Sequence, residues 1–461
     1  MIRDEKLDDV SADKRRCAGR TRADDAKEQQ ELKAAPANNN LTGELMEQIC
    51  QRSNLNQAYK RVKANKGASG IDGLNVEDLK AHIGEHKDAM IQSLLDGSYR
   101  PQPVRQVTIP KPAGGVRQLG IPTVVDRLIQ QAILQVLQPM FDPSFSKFSY
   151  GFRPGRSAHQ AIKQAQKYVQ AGRKIVVDID LEKFFDRVNH DIMMARLAKR
   201  IEDKRLLTII RRFLKAGILQ DGVGMVREQG VMQGGPLSPL LSNILLDELD
   251  KELERRGHHF CRYADDCNIY VKSLKAGTRV LASIAGWLEK RLKLQVNEAK
   301  SGVAKVDLRQ FLGYRLCSTG QLDLPKKSET RLKAVVRQVT KRNRGVSFAV
   351  VIQELNGKLR GWSQYFKWLE KPRKLANLDS WIRRKLRCYR LKQWKNCGTI
   401  ATNLIQLGVK PSSARQTSSS GKGWWRLSRT PALHTGLSNQ WFNEQGLLNL
   451  HNQITRLQSL T

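Results

Sequence analysis

The pattern of apolar and polar residues predicts three β-strand regions in the first two thirds of the chain. Residues 260–271 form two short runs of strand-forming residues around a polar centre, which is typical of a β-hairpin with Asp265 and Asp266 at its tip. Residues 100–122 contain two alternating runs around a turn rich in proline and glycine, and predict a second hairpin. Residues 175–181 predict a largely apolar strand.

Helical intervals between apolar residues predict helices in the stretches that separate these strands. The clearest are residues 45–62, 123–137 and 238–256. Residues 1–40 instead mix both charge signs with few large apolar residues, a composition that predicts a mobile leader. The folded part of the chain is therefore expected to begin near residue 41.

Two pairs of aspartates occur in the predicted strands and turns. Asp178 and Asp180 share one face of the 175–181 strand, and Asp265 and Asp266 repel each other at the hairpin tip. If these elements pack side by side, three carboxylates can hold two Mg²⁺ about 4 Å apart, one activating an attacking hydroxyl and the other stabilising a leaving oxygen. That is the chemistry of nucleotide polymerisation. Either Asp178 or Asp180 could supply the third carboxylate.

Lys111 and Arg117 flank the turn of the 100–122 hairpin. Two cations at this spacing can reach one phosphate chain, lysine as a point charge and arginine as a planar fork. They would neutralise charge on a transferring phosphoryl group. An ordinary solvated hairpin is the alternative interpretation.

The charge of the chain points to a polyanionic partner. Lys and Arg number 80 against 44 Asp and Glu, a net charge of +36 over 461 residues. Such an excess favours nucleic acid, since no single basic amphipathic helix stands out as a membrane anchor. No apolar run approaches the roughly 18 residues of a membrane span, and the seven cysteines include no CxxC pair of a zinc module. We expect a cytoplasmic protein without a membrane partner.

The order of the short motifs resembles that of group II intron-encoded reverse transcriptase/maturases. Tyr263-Ala264-Asp265-Asp266 is similar to the YxDD signature of reverse transcriptases. Seven further blocks occur in the family's order, at residues 70–73, 109–122, 151–157, 180–185, 233–239, 294–301 and 311–314. The resemblance covers residues from about 45 to at least 380. Because no run of paired Cys and His residues follows, it indicates the bacterial type without an HNH endonuclease domain.

The resemblance implies a role for each motif residue. Asp180, Asp265 and Asp266 would be the catalytic carboxylates and the ligands of two Mg²⁺. Asp180 is favoured over Asp178 because the family's aromatic residue lies five positions later, where Phe185 stands. Phe185 would select deoxynucleotides by occupying the place of a ribose 2′-hydroxyl, whereas Phe184 suits the core. The remaining residues implied at the dNTP site are Lys111, Arg117, Gln233 and Lys300.

Cations and aromatic residues predict contacts to RNA or DNA in two further places. The glycine-rich loop at residues 149–157 carries Arg153 and Arg156. Residues 321–400 hold 21 Lys/Arg against 5 Asp/Glu, and this segment resembles the thumb and maturase domain X of the family. Cations interleaved with aromatic side chains suit phosphate contact and base stacking. The residues predicted here are Arg360, Trp362, Arg383, Arg384 and Arg387.

The family implies an α+β right-hand polymerase fold with fingers, palm and thumb and an antiparallel palm sheet. The predicted domains are a leader at 1–40, fingers and palm at 41–320, an α-helical thumb and domain X at 321–397, and a small basic DNA-binding-like module at 398–461. The implied function is RNA-directed DNA synthesis and maturase activity with intron RNA, target DNA and dNTPs as partners. The alternative is a reverse transcriptase recruited to phage defence, diversity generation or CRISPR adaptation.

Overall fold

The structure of the protein, a computed structural model, describes residues 43–110, 115–220, 223–225 and 229–460. Of Arg117, residues 218–220 and residues 223–225 the backbone alone is described. The predicted leader at 1–40 and the predicted dNTP-binding residue Lys111 lie outside the described residues. Within the described part of the chain, no helix is both long and apolar enough to cross a membrane.

The described residues divide into two compact units. The first comprises the chain up to Leu312 together with Ser318–Gly320, and the second comprises Gly313–Cys317 and the chain from Gln321 onward. The second unit therefore contains both segments that were predicted as domain X and as a terminal module. The functional division of the chain at residues 320 and 397 stays a prediction.

The first unit contains ten α-helices within the described residues. Local capping explains where several begin: Ser157 and Gln160 form a reciprocal capping box, and Thr123 and Asp203 cap two other helices with their side chains. The helices are α1 Leu45–Cys50, α2 Arg52–Asn65, α3 Leu79–Leu95, α4 Val124–Phe141, α5 Ala158–Gln170, α6 Phe184–Arg187, α7 His190–Ala198, α8 Lys204–Lys215, α9 Ser238–Arg255 and α10 Leu274–Leu292.

Two four-stranded sheets complete this unit. The strands are β1 Val104–Pro110, β2 Val116–Ile121, β3 Ile175–Ile179, β4 Ile218–Gln220, β5 Val223–Met225, β6 His259–Tyr263, β7 Asp266–Val271 and β8 Gly302–Lys305. One sheet has the order β2-β1-β4-β5, in which β1 and β2 form the predicted hairpin. The other has the order β6-β7-β3-β8 and is antiparallel throughout. Both predicted hairpins are present.

A continuous apolar core packs against one face of the antiparallel sheet. Val177 and Ile179 of β3 are fully buried in it, and α9 contributes buried residues along nearly its whole length. Asp178 lies between them in sequence and projects to the other face, as the period of two predicts. The sheet therefore has an apolar side and a side that can carry polar chemistry.

The second unit is almost wholly helical within the described residues. Its single pair of short strands, β9 Arg315–Leu316 and β10 Leu322–Asp323, is antiparallel. Long amphipathic segments form its first helices, as the periodicity predicts. The helices are α11 Lys326–Val339, α12 Phe348–Tyr365, α13 Pro372–Trp394, α14 Cys397–Gln406, α15 Pro411–Ser418, α16 Trp424–Leu427, α17 Pro431–Gly436, α18 Asn439–Glu444 and α19 Leu450–Ser459.

Candidate active site

The hairpin of β6 and β7 presents two carboxylates at a two-residue turn. Tyr263 pairs with Asp266 across the ladder, so Ala264 and Asp265 form the turn itself. Ala264 has a φ of 59°, in the left-handed region that a residue with a Cβ seldom adopts. Such a conformation persists where the surroundings determine it, and two sets of contacts do so here.

The first set comes from the loop before α5, which packs directly behind the turn. A Cβ added to Gly151 would stand 2.3 Å from the backbone nitrogen of Ala264, so only glycine fits at this position. The carbonyl oxygen of Gly151 accepts a hydrogen bond of 2.8 Å from the Asn243 side chain on α9. The backbone nitrogen of Tyr150 donates to the carbonyl oxygen of Arg262 at 2.9 Å.

The second set centres on Arg262, a fully buried arginine in β6. Its guanidinium forms a two-pronged ion pair with Asp250 of α9, at 2.7 and 2.6 Å, and both side chains are 0% exposed. It also donates to Asn243, to the Ser149 hydroxyl and to the carbonyl oxygen of Ala264 in the turn. Burial alone would lower the pKa of Arg262, but Asp250 raises it above its ordinary value, so the guanidinium stays charged.

Sequence reasoning missed this arginine. A charged residue inside an otherwise apolar strand was the available signal, since burial of an arginine requires an acid and further acceptors nearby. The network ties the strand, the turn and α9 into one rigid support for Asp265 and Asp266.

Asp180 lies one residue beyond the end of β3, so the strand is two residues shorter than predicted. Its backbone nitrogen donates to the Ser301 hydroxyl at 2.9 Å, and its carbonyl oxygen accepts from the backbone nitrogen of Asn297 at 2.8 Å. The ammonium of Lys300 stands 3.4 Å from both carboxylate oxygens of Asp180. The loop at residues 295–301 thus positions the carboxylate and brings a cation to it.

Asp178 has a different partner. It pairs with Asn268 of β7 and Gly302 of β8, and its carboxylate lies 3.4 Å from a guanidinium nitrogen of Arg309. A Cβ on Gly302 would stand 2.5 Å from Arg309, so glycine leaves room for that contact. Burial raises the pKa of Asp178 to about 6, with Arg309 lowering it and Asp180 raising it further.

The acids of both elements influence one another electrostatically. Desolvation raises the pKa of Asp266 to about 7, repulsion from Asp265, Asp178 and Asp180 acts in the same direction, and Lys300 opposes it. The side chain of Asp266 is exposed to solvent. The predicted convergence of the 175–181 strand with the hairpin is observed in the antiparallel pairing of β3 with β7.

The donor set suits a hard divalent cation. Carboxylate oxygens are the ligands that Mg²⁺ prefers, and mutual repulsion among acids is relieved by a cation. No group of three acids, histidines or cysteines within metal-binding reach occurs in the described part of the chain. Among the described residues the carboxylates therefore do not form a preformed site with three ligands.

Phe185 and Gln233 lie on two segments that are hydrogen-bonded to each other. The carbonyl oxygen of Phe185 accepts a 2.6 Å hydrogen bond from the backbone nitrogen of Val231, two residues before Gln233. The Phe185 ring is half-buried and meets Phe184 edge-on at 5.1 Å, whereas Phe184 is buried in the core. Gln233 in turn accepts from the backbone nitrogen of Gly120 in β2 through its carbonyl oxygen. Arg117 lies on the same strand, paired with Ile109 of β1.

Two known families match the two units in the order that the motifs predict. The family described as reverse transcriptase (RNA-dependent DNA polymerase) matches residues 109–316, and the group II intron, maturase-specific domain matches residues 330–404. Protein YkfC of Escherichia coli (strain K12) is 33% identical over 349 residues, which cover 67% of this chain and 91% of YkfC. The chain belongs to the group II intron reverse transcriptase/maturase family.

Further similar proteins share parts of the chain. The group II intron-encoded protein LtrA of Lactococcus lactis subsp. cremoris is 41% identical over 202 residues, 42% of this chain and 32% of LtrA. Among solved structures, a partial Cas6-RT-Cas1–Cas2 complex is 28% identical over 53% of this chain and 42% of that chain, with a TM-score of 0.35. The family and the RNA-directed DNA polymerase class inferred from the motifs are confirmed, as is a reverse transcriptase fold with an antiparallel sheet.

Of the two arginines predicted to contact nucleic acid in the loop at residues 149–157 of this reverse transcriptase/maturase, one is buried. Arg153 is 9% exposed and donates to the Asp142 carboxylate and to the carbonyl oxygens of Asp142, Ser146 and Ser149. Every guanidinium nitrogen of Arg153 is used within the protein, and an RNA or DNA contact by this residue stays a prediction. Arg156 is exposed, with its guanidinium over the Tyr150 ring at 5.8 Å.

The predicted contacts in the maturase-domain helices also differ in exposure. Arg360 on α12 is exposed, and Trp362 is half-buried against Phe366 at 4.7 Å. On α13, Arg383 is half-buried, and Arg384 donates to the carbonyl oxygen of Trp425 with its guanidinium over that ring at 3.5 Å.

The third predicted contact on α13, Arg387, is 3% exposed and donates twice to the carbonyl oxygen of Leu437. These hydrogen bonds join α13 to the residue that follows α17, and a nucleic-acid contact by Arg387 stays a prediction.

Proposed function

We propose that the chain is the RNA-directed DNA polymerase and maturase of a group II intron, copying intron RNA into DNA by target-primed reverse transcription. The observation that carries this proposal is the antiparallel sheet in which the Asp265-Asp266 turn stands beside Asp180, with Lys300 at 3.4 Å. Carboxylates at the ends of two neighbouring central strands, adjoining a cation, suit transfer of a nucleotidyl group.

Each residue around the cluster would act on a different part of the reactants. Two Mg²⁺ held by Asp180, Asp265 and Asp266 would supply activation of the primer 3′-hydroxyl and stabilisation of the leaving oxygen. Lys300 would neutralise phosphate charge, and Lys111 and Arg117 would do so from the β1–β2 hairpin. Asp178 remains the alternative ligand to Asp180.

Phe185 and Gln233 would act on the sugar and the base of the incoming nucleotide. The half-buried ring of Phe185 would fill the space of a ribose 2′-hydroxyl. Gln233 would contact the nascent base pair. Both lie on backbone segments that hydrogen bonds fix, which limits the reorganisation needed when a nucleotide binds.

The helical second unit would bind the intron RNA during splicing and the target DNA during insertion, leading to intron mobility by retrohoming. Its match to the maturase-specific domain favours this role over defence, diversity generation or CRISPR adaptation. We propose that the protein acts on nucleic acid in a bacterial cytoplasm. Residues 398–461 would form the module that contacts DNA.

The test is primer extension on an RNA template with Asp265→Asn and Asp266→Asn. Each variant should lose extension at least about 100-fold, because a group acting on transition-state charge is removed. Binding to the same RNA should stay within about threefold, since phosphate contacts dominate affinity. Asp88→Asn, an exposed aspartate on α3, is the control for lost negative charge. Extension by either palm variant at the rate of the parent chain would overturn the proposal.

A further inference from the structure

A cleft in the helical second unit lies outside the carboxylate site. Its volume is 1040 Å³. The end of α11 and the residues after it form one wall, α13 forms another, and Gly423 and Trp424 at the start of α16 form the third. Its lining includes the side chains of Arg337, Lys341, Arg342, Lys385, Lys392 and Trp424.

The cleft concentrates positive charge that the protein itself does not neutralise. Five of its lining residues are Lys or Arg and none is Asp or Glu. Across the described ranges, none of these five cations takes part in an ion pair, although Arg344 nearby is paired with Glu354. Burial lowers the pKa of Lys385, and repulsion from Arg342 and Arg337 adds to that effect. Like charges gathered in a concave wall are costly unless an anion joins them.

An aromatic ring stands among these cations. Trp424 is half-buried, with the Arg342 guanidinium 5.5 Å and the Lys392 ammonium 5.4 Å from its ring centroid. Its neighbour Trp425 differs, since Arg384 covers that ring at 3.5 Å. Cations and an indole in one concavity match the two chemical parts of a nucleotide, a phosphate and a flat base.

We propose that this cleft captures an unpaired nucleotide of a single-stranded polynucleotide, with its flanking phosphates on the five cations and its base stacked on Trp424. A base inside a duplex is stacked on its neighbours and cannot enter a cleft, whereas an unpaired base can be turned outward. The volume is that of a pocket for one small ligand, which fits one or two nucleotides. The inference rests on the proposed function only in that the protein handles polynucleotides.

The test measures affinity of the full chain for a labelled 12-nucleotide single strand and for the duplex of the same sequence. Trp424→Ala should weaken single-strand binding about tenfold, because base stacking on the ring is lost. Trp424→Phe should restore most of it. A triple variant should weaken the salt dependence, because it loses three phosphate contacts. We expect the slope of log affinity against log salt to fall by about 2 in Lys341→Gln/Arg342→Gln/Lys392→Gln. Duplex binding should change little in each case.

A control triple variant removes the same charge elsewhere in the unit. Lys326, Lys327 and Lys410 are exposed and lie outside the cleft. If Lys326→Gln/Lys327→Gln/Lys410→Gln lowered affinity and slope equally, net charge would explain the effect and the cleft would have no special part. Inorganic polyphosphate is the second control, because it offers phosphates without bases. If the parent chain and Trp424→Ala bound polyphosphate equally and also bound the RNA equally, the cleft would be an anion site without base recognition. That result would overturn the proposal.

Photocrosslinking locates the contact directly. Two probes are used, an RNA strand and a DNA strand, each with one 4-thio-substituted base. They show whether the cleft binds single-stranded RNA, single-stranded DNA or both. Crosslinks in the peptide that contains Trp424 support the inference for whichever strand gives them, and crosslinks confined to other peptides refute it. Asp265→Asn separates the two proposals, because it should lose primer extension and keep this crosslink.

Discussion

The backbone of Phe185 is held by a hydrogen bond in which its ring takes no part. Its carbonyl oxygen holds Val231 and its ring contacts Phe184 at the edge, leaving the ring half-buried. Phe184 differs, because only 3% of its surface is exposed and it belongs to the core. The two adjacent phenylalanines therefore differ in burial, and the role of Phe185 at the incoming nucleotide stays a proposal.

We expect Phe185→Ala to raise ribonucleotide incorporation relative to deoxynucleotide incorporation at least about tenfold, because the space for a 2′-hydroxyl opens. The measurement is primer extension with mixed nucleotides at known ratios. Phe184→Leu is the control, and it should lower the free energy of unfolding by about 1–3 kcal/mol with unchanged discrimination. Equal loss of discrimination in both variants would instead indicate a general loosening of the site.

The conformation of the β6–β7 hairpin depends on residues that are far away in sequence. Gly151 packs against the nitrogen of Ala264, and Arg262 holds the Ala264 carbonyl oxygen while pairing with Asp250. Removing one partner of a buried ion pair typically costs about 3–5 kcal/mol, so this support is rigid. The positions of Asp265 and Asp266 follow from that rigidity.

We therefore expect Gly151→Ala to reduce the rate of primer extension at least about tenfold, because the added Cβ meets the Ala264 nitrogen at 2.3 Å and displaces the turn. Gly84→Ala in α3 is the matched control, since no atom lies within 4 Å of its added Cβ. That change should stabilise the helix by about 0.5–1 kcal/mol and leave the rate unchanged. Unchanged extension by Gly151→Ala would mean that the turn tolerates movement.

The local sequence was sufficient to predict the hairpins. It was not sufficient to predict the buried contacts that hold them in place. Residues 260–271 and 175–179 form the strands that their strand-forming residues predict, although buried residues follow one another along each strand instead of alternating with exposed ones. The buried network of Arg262 includes Ser149, 113 residues away, and no local rule predicts such a contact. The burial of Arg153 and Arg387 could not be predicted for the same reason, because exposure is decided by tertiary packing.

Charge is unevenly distributed over the whole molecule. Residues 321–461 carry 27 Lys/Arg against 6 Asp/Glu, more than half of the net charge of +36. The antiparallel sheet of the first unit instead gathers Asp178, Asp180, Asp265 and Asp266. A polyanion is attracted by the molecule as a whole and repelled at the carboxylates, so bound cations are needed where the reacting phosphates must lie.

Repulsion among these carboxylates should make the effect of Mg²⁺ on the Tm depend on pH. The pKa values of Asp178 and Asp266 are raised to about 6 and about 7 from an ordinary 3.8, so the folded chain binds protons more tightly than the unfolded chain. Their contribution to stability therefore falls as pH rises from about 4 to about 7 and then levels off. Mg²⁺ held by the ionised carboxylates, as proposed, should raise the Tm more at pH 8 than at pH 5.5.

Asp266→Asn should flatten the pH dependence of the metal-free Tm and shrink the Mg²⁺ increment at pH 8, because the carboxylate whose pKa is raised to about 7 is gone. Asp88→Asn removes an exposed acid and should preserve both effects. Differential scanning calorimetry of the three chains at both pH values, with and without Mg²⁺, makes the comparison. An equal Mg²⁺ increment at pH 5.5 and pH 8 in the parent chain would show that proton release from these carboxylates is not coupled to metal binding.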